Sequence, residues 1–214
     1  MRRGDGSRVG PDVPVSLPGR YNGGMNDTAL LVMDVQNGIV ARVPDSADAL
    51  LATLAGATAA ARAHGIPVVH VRVAFRPDLV EISPRNRAFS ALATAAPMGL
   101  DDPATQVHPA VWPVGGDVVV VKKRVSAFTG SDLEVVLRSL GVTSLVLTGI
   151  ATSGVVLSTL RQAADLDYGL TVLADGCADA DPEVHRALLE KVFPRQASVV
   201  TADAWVAGLG PPAG

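Results

Sequence analysis

Six short runs dominated by valine and leucine recur along the chain: TALLVMDV (28–35), PVVHVRV (67–73), DVVVVKK (117–123), SLVLTG (144–149), LTVLAD (170–175) and ASVVTA (197–202). Runs that are apolar on both faces suit strands in the middle of an α/β sandwich, where helices cover the sheet on either side. Between them, segments of helical period predict helices at about 45–64, 131–140, 154–167 and 182–193. Asp181-Pro182 opens the last with a capping carboxylate and a proline at the first helical position. Strands alternating with helices predict an α/β fold, a single-domain Rossmann-like three-layer sandwich with a six-stranded parallel sheet.

One stretch breaks the alternation. From Phe75 to Gly116 the chain carries six prolines, several arginines and little periodicity. It reads as a long excursion over one end of the sheet, and excursions longer than about 15 residues are usually lids or interfaces. Residues 1–24, rich in Gly, Pro and Arg, read as a flexible tail that could also cover a neighbouring subunit; the domain is expected over 25–208, with a short C-terminal tail over 209–214. The tail lacks the apolar centre of a signal peptide, and no run approaches the roughly 20 apolar residues of a membrane span.

Composition narrows the partners. At 214 residues the chain can bury one full core, and 48% hydrophobic with 18% charged residues is a well-packed, soluble profile. A net charge of −3 without any Lys/Arg-rich block gives no pull toward nucleic acid or anionic membrane, so a small-molecule or protein partner is favoured. Cys177 is the single cysteine, which excludes an internal disulfide and fits a reducing cytoplasm.

In open parallel sheets ligands bind beyond the carboxyl ends of the strands, where the strand order reverses. The first strand ends at Asp34, the third at Lys122 or Lys123, and the fourth at the small-residue turn GIATSG (149–154) before a helix. Unpaired N–H groups at such a helix start favour negative charge, and a cysteine there would be a ready nucleophile with a lowered pKa. The residue at that position is Val155.

The segments ALLVMDVQN (29–37), VVVKKRVSAF (119–128), GIATSGVVLST (149–159) and VLADGCAD (172–179), in this order, resemble the isochorismatase-like, or cysteine hydrolase, superfamily over residues 28–205. The resemblance implies a hydrolase whose catalytic set is Asp34, Lys122 and the position of Val155, with a cis peptide between Ile150 and Ala151 turning the amides of Ala151 and Val155 toward a substrate oxygen. It also implies homodimers or homotetramers. Amidases of the superfamily form a covalent acyl-enzyme through the cysteine, which a valine cannot. The superfamily's isochorismatases carry glycine there and use an aspartic acid to protonate a vinyl ether, a part open to Asp34. To act as an acid Asp34 needs desolvation to raise its pKa, while Lys122 lowers it and favours a base; sequence leaves both roles open. The alternative is a catalytically silent small-molecule-binding or scaffolding member of the fold.

Plainer readings stand beside each residue. Asp34 could cap the turn after its strand. Strand alternation sends one of Lys122 and Lys123 inward, and the family register assigns that place to Lys122. Arg124 suits a substrate carboxylate or the surface equally. Gln36 is a candidate substrate contact, and Phe75, Trp112 and Phe128 could wall the pocket or pack the core. Ser153 would need a neighbouring base to act as a nucleophile, and no histidine lies near it in sequence; Thr152 suits local turn bonding. His64, His70, His108 and His185 show no ligand spacing, and VAFRPD (73–78) lacks the Asp-x-His motif of metal-holding relatives, so neither a metal nor another cofactor is expected. Cys177 reads as a buried structural thiol.

Overall fold

The computed structural model describes residues 27–95 and 98–211, so the expected tail over 1–24 lies outside the described residues. The six apolar runs form strands β1 (Thr28–Met33), β2 (Val68–Val73), β3 (Val118–Lys122), β4 (Ser144–Ile150), β5 (Gly169–Ala178) and β6 (Ser198–Val200). They pair in the order β3-β2-β1-β4-β5-β6, every pair parallel, in a single α/β domain.

The helices are α1 (Asn37–Val40), α2 (Pro44–Ala63), α3 (Arg87–Ala95), α4 (Leu133–Ser139), α5 (Leu157–Asp165), α6 (Pro182–Ala187) and α7 (Ala202–Gly208). β1 shows why they form layers on both sides. Ala29, Leu31 and Met33 face one apolar cluster with Leu133 and Leu137 of α4 and Leu160 and Ala163 of α5, whereas Leu30 and Val32 face Leu50, Leu54 and Ala61 of α2. Alternate side chains of a strand point to opposite faces, so a strand buried on both sides must be apolar throughout. Each fully buried aliphatic side chain contributes about 1.5–3 kcal/mol.

The order reverses between β1 and β4, which opens a crevice beyond their carboxyl ends. Their approach is close there. Gly149 has φ 138°, and a Cβ on it would stand 2.1 Å from the Met33 carbonyl oxygen, so no other residue fits without parting the two strands.

Several boundaries differ from the sequence reading. The helix expected at 154–167 is a π-helical turn, Thr152–Val156, followed by α5; the one expected at 182–193 is α6, a second π turn (Leu188–Val192) and a 3-10 turn (Phe193–Arg195). The last strand stops at Val200, because the Thr201 hydroxyl accepts from the Ala204 amide at 3.2 Å and starts α7. The aperiodic excursion contains α3, whose first turn is held by Asn86 Oδ1 accepting from the Phe89 amide at 3.2 Å. Phe89 packs edge-on against Phe75, their ring centres 5.6 Å apart, which docks α3 over the crevice. No helix among the described residues is long and apolar enough to cross a membrane.

Candidate active site

Asp34 is the first residue past β1 and turns the chain with φ 56°, a left-handed conformation that Asp tolerates better than most residues. Its amide donates to Val71 O at 2.7 Å, which fixes the backbone, and its side chain enters the crevice. Lys122, the last residue of β3, reaches the same place with its side chain buried. Lys122 Nζ lies 2.8 Å from Asp34 Oδ2 and donates to Arg124 O at 3.0 Å and Val125 O at 2.9 Å. An ammonium has three donors, and these partners use all three. The carbonyls are themselves held, since Ser126 Oγ donates to Gln162 Oε1 (2.7 Å) and the Ala127 amide to Thr159 Oγ1 (2.9 Å), both on α5.

The other carboxyl oxygen, Asp34 Oδ1, is buried and has no hydrogen-bond partner among the described residues. Burial raises the Asp34 pKa above its ordinary 3.8, and the charge and hydrogen bond of Lys122 oppose that rise without overcoming it. One oxygen of the carboxyl is thus clamped by Lys122, and the other is buried without a donor among the described residues.

The turn after β4 forms the facing wall. The Ile150–Ala151 peptide is cis. Ala151 O accepts from the amides of Gly154 (3.0 Å) and Val156 (3.3 Å), and Asp179 Oδ2 accepts from the Ser153 amide at 2.7 Å. Thr152 Oγ1 and His185 Nδ1 are hydrogen-bonded at 2.8 Å. Burial lowers the His185 pKa, with Asp179 opposing; burial would raise the Asp179 carboxyl, but the hydrogen bonds from Ser153 hold it below its ordinary range. The turn is thus tied to the end of β5 and to α6 on its outer side. On its inner side Ile150, Ala151, Gly154 and Val155 line a cavity of about 290 Å³ that also contains Asp34 and Lys122. Ile39, Phe89 and Leu92 close the opposite wall, and Arg42 completes the lining's charged residues.

The structure therefore brings together Asp34, Lys122, Ile150, Ala151 and Val155, while Thr152 and Ser153 support the turn from behind. Five expected substrate contacts lie elsewhere. The Gln36 amide is spent on the fold, donating to Val73 O (3.0 Å) and Thr105 O (2.8 Å) and accepting from the Val73 amide (2.8 Å). Phe75 is buried beneath Phe89, and Phe128 packs in the core 6.0 Å from the Tyr168 ring. Trp112 is 54% exposed after the 3-10 turn Pro109–Val111. Arg124 turns back to donate to Lys123 O at 2.6 Å and does not line the cavity. Lys123 is not free in solvent either: its Nζ donates to Ala74 O and stands 5.6 Å from the centre of the Phe75 ring.

Four contributors escaped the sequence reading. Phe89 and Leu92, one helical turn apart on α3, carried a signal in the Asn86 cap and their i, i+3 spacing. Arg42 and His185 carried none, because each meets the site only through the fold. Among the described residues no group of three or more His, Cys, Asp or Glu side chains could hold a metal ion. Cys177 is buried, and burial pushes its thiol up to about 12.

A wholly parallel sheet whose strand order reverses between β1 and β4 defines a doubly wound α/β protein, a class in which ligands bind at that reversal. Residues 28–204 match the isochorismatase domain, and the chain belongs to the isochorismatase family. It is 34% identical over 181 residues to the isochorismatase family protein YecD of Escherichia coli O157:H7, spanning 80% of this chain and 90% of that protein. It is 37% identical over 181 residues to the ureidoacrylate amidohydrolase RutB of Pseudomonas syringae pv. syringae, spanning 73% of each. The solved structure of an isochorismatase family protein from Burkholderia thailandensis superposes with a TM-score of 0.75 at 34% identity, covering 86% of this chain and 97% of that one.

Proposed function

We propose that the chain is a hydrolase of small molecules in which Asp34 transfers protons, Lys122 clamps and charges it, and water completes the reaction without a covalent enzyme intermediate. The bond cleaved is a vinyl-ether C–O bond or a related C–N bond. One observation carries this reading: a buried carboxyl on the lining of a cavity, its pKa raised, with one oxygen held by a lysine that has no donor left and the other without any donor among the described residues.

For a vinyl ether, the proton on Asp34 moves to the terminal alkene carbon, leaving Asp34 ionised beside Lys122 and an oxygen-stabilised cation on the substrate. Water adds to that cation and loses a proton to Asp34. The adduct then breaks its C–O bond to a carbonyl and an alcohol, so the acid is regenerated and one water is consumed. Lys122 favours the ionised carboxylate formed in the first step. With an amide substrate, the amides of Ala151 and Val155 serve to donate to the oxygen on which negative charge develops.

Val155 takes the place of the nucleophilic cysteine in this scheme. Its methyls cannot attack a carbonyl, and the hydroxyl of Thr152 is directed to His185 rather than to the cavity. The RutB relative's name makes an amide C–N bond one arm of the test. Asp34→Asn, assayed against vinyl-ether and small-amide panels, is expected to lose turnover on whichever panel the wild type cleaves. Unaltered turnover ends the proposal, and a wild type that binds panel members but cleaves none points to the silent binding protein.

A further inference from the structure

Arg42 sits in the turn between α1 and α2. Its backbone is fixed, with its amide donating to Ile39 O at 3.0 Å and the following Val43 buried. Its guanidinium is exposed and makes no hydrogen bond or ion pair among the described residues. Other arginines of the molecule are committed: Arg62 to Asp117, Arg76 to Glu81, Arg138 to Glu134 and Arg72 to the carbonyls of Leu100 and Thr105.

Arg42 nevertheless lines the cavity of Asp34 and Lys122 and also borders an adjoining cavity of about 270 Å³. Two carboxylates, Asp45 and Asp179, line that second cavity, but neither lies within ion-pair distance of Arg42, and Asp179 is engaged by the amides of Ser153 and Asp181. Within the inner cavity Asp34 and Lys122 are partners of each other, so Arg42 is the charged side chain of the lining left without a partner among the described residues. The remaining walls are apolar, with Ile39, Phe89 and Leu92 facing the reacting end.

From this arrangement we infer that Arg42 reads a carboxylate on the substrate, so that the site takes small monocarboxylates with an apolar body whose hydrolysable bond lies at Asp34. This deepens the proposed function and rests on it for the position of the reacting bond. A planar guanidinium with five open donors matches a carboxylate with two parallel hydrogen bonds, and a neutral amide of the same shape cannot supply the charge. The apolar walls exclude water from the ligand's body and orient it between the acid and the arginine.

The test pairs isosteric probes, benzoate with benzamide and crotonate with crotonamide, titrated into the purified chain by calorimetry. Wild type is expected to bind at least one carboxylate more tightly than its amide, with a preference that shrinks as ionic strength rises. Arg42→Gln is expected to weaken that carboxylate by about tenfold while leaving the amide unchanged. Arg42→Lys, which keeps the charge without the fork, falls between them and guards against a folding artefact. Two results overturn the inference: no carboxylate preferred over its amide by the wild type, or a wild-type preference retained in Arg42→Gln. Asp34→Asn separates this from the proposed chemistry, since it is expected to keep the Arg42-dependent preference while losing turnover. A loss of preference only in the arginine variants with turnover intact in Asp34→Asn would sustain the carboxylate reading and sink the catalytic one.

Discussion

The two ends of β3 each hold a buried carboxylate–cation pair, and the pairs are opposite in character. At the start of the strand Asp117 accepts from Arg62 through both oxygens (3.2 and 2.6 Å), from the Val114 amide at 3.0 Å, and meets His70 Nε2 at 3.2 Å. Burial would raise its pKa, but these hydrogen bonds and the Arg62 charge hold it below the ordinary 3.8. At the far end Lys122 holds one oxygen of Asp34, the second is bare, and burial leaves that pKa raised. A carboxylate whose lone pairs are filled by its own fold is a tie between segments. One left half-filled beside a cavity has capacity for something that arrives. Both carboxylates expose little surface, 4% and 8%, but Asp34 lies deeper among packed segments and receives fewer donors.

The contrast breaks first on turnover. Asp34→Asn should lower kcat/KM roughly 10²- to 10⁴-fold on a cleaved substrate, the usual worth of a positioned acid or base. Asp117→Asn, at the other end of the same strand, should leave kcat/KM essentially unchanged. Stability separates the pairs in the reverse sense: Asp117→Ala strands a guanidinium, an amide and a buried imidazole N–H, and urea melts should record a loss of about 3 kcal/mol.

The dependence on pH sharpens the comparison because the signs differ. Folding raises the Asp34 pKa above 3.8, so the folded state holds that proton more tightly; this contribution to stability is complete below pH 3.8 and is lost as pH rises through the raised value. Folding depresses the Asp117 pKa, so its contribution is complete above pH 3.8 and is lost as pH falls through the depressed value. Urea midpoints measured against pH should show wild type gaining on Asp117→Asn as pH rises from 2 through 4, and losing ground to Asp34→Asn as pH rises beyond 4. A smaller effect concerns thiols. The native protein should resist iodoacetamide at pH 7, because Cys177 is buried and its pKa is about 12. Val155→Cys should be alkylated readily if the turn still lowers a thiol's pKa.

Much of the fold was legible because its signals are local. Valine-rich runs gave the strands and the α/β class, and the strand-end rule put Asp34, one lysine and the GIATSG turn in one crevice. Which of Lys122 and Lys123 enters was legible only through the family register and not in the strand pattern; in the fold Lys122 ends β3 beside Val73. Whether burial or Lys122 governs Asp34 needed the coordinates, since desolvation depends on every segment packed around it. Sequence also saw no histidine near the turn, yet the fold brings His185 to Thr152 across 33 residues. Three of the misplaced contacts, Gln36, Phe75 and Phe128, share one cause: aromatic and amide side chains serve a core as readily as a pocket. Phe128 and Gln36 could be assigned only once their partners, Tyr168, Val73 and Thr105, were known.

The most direct test is a titration of the Asp34 carboxyl by ¹³C NMR, its resonance assigned by comparison with Asp34→Asn and with Asp117 as the internal reference. The account predicts a midpoint above 3.8 for Asp34 and below 3.8 for Asp117 in the same sample. An Asp34 carboxyl titrating at or below 3.8 would be a permanently ionised partner of Lys122, and the proton-transfer role assigned to it would be wrong.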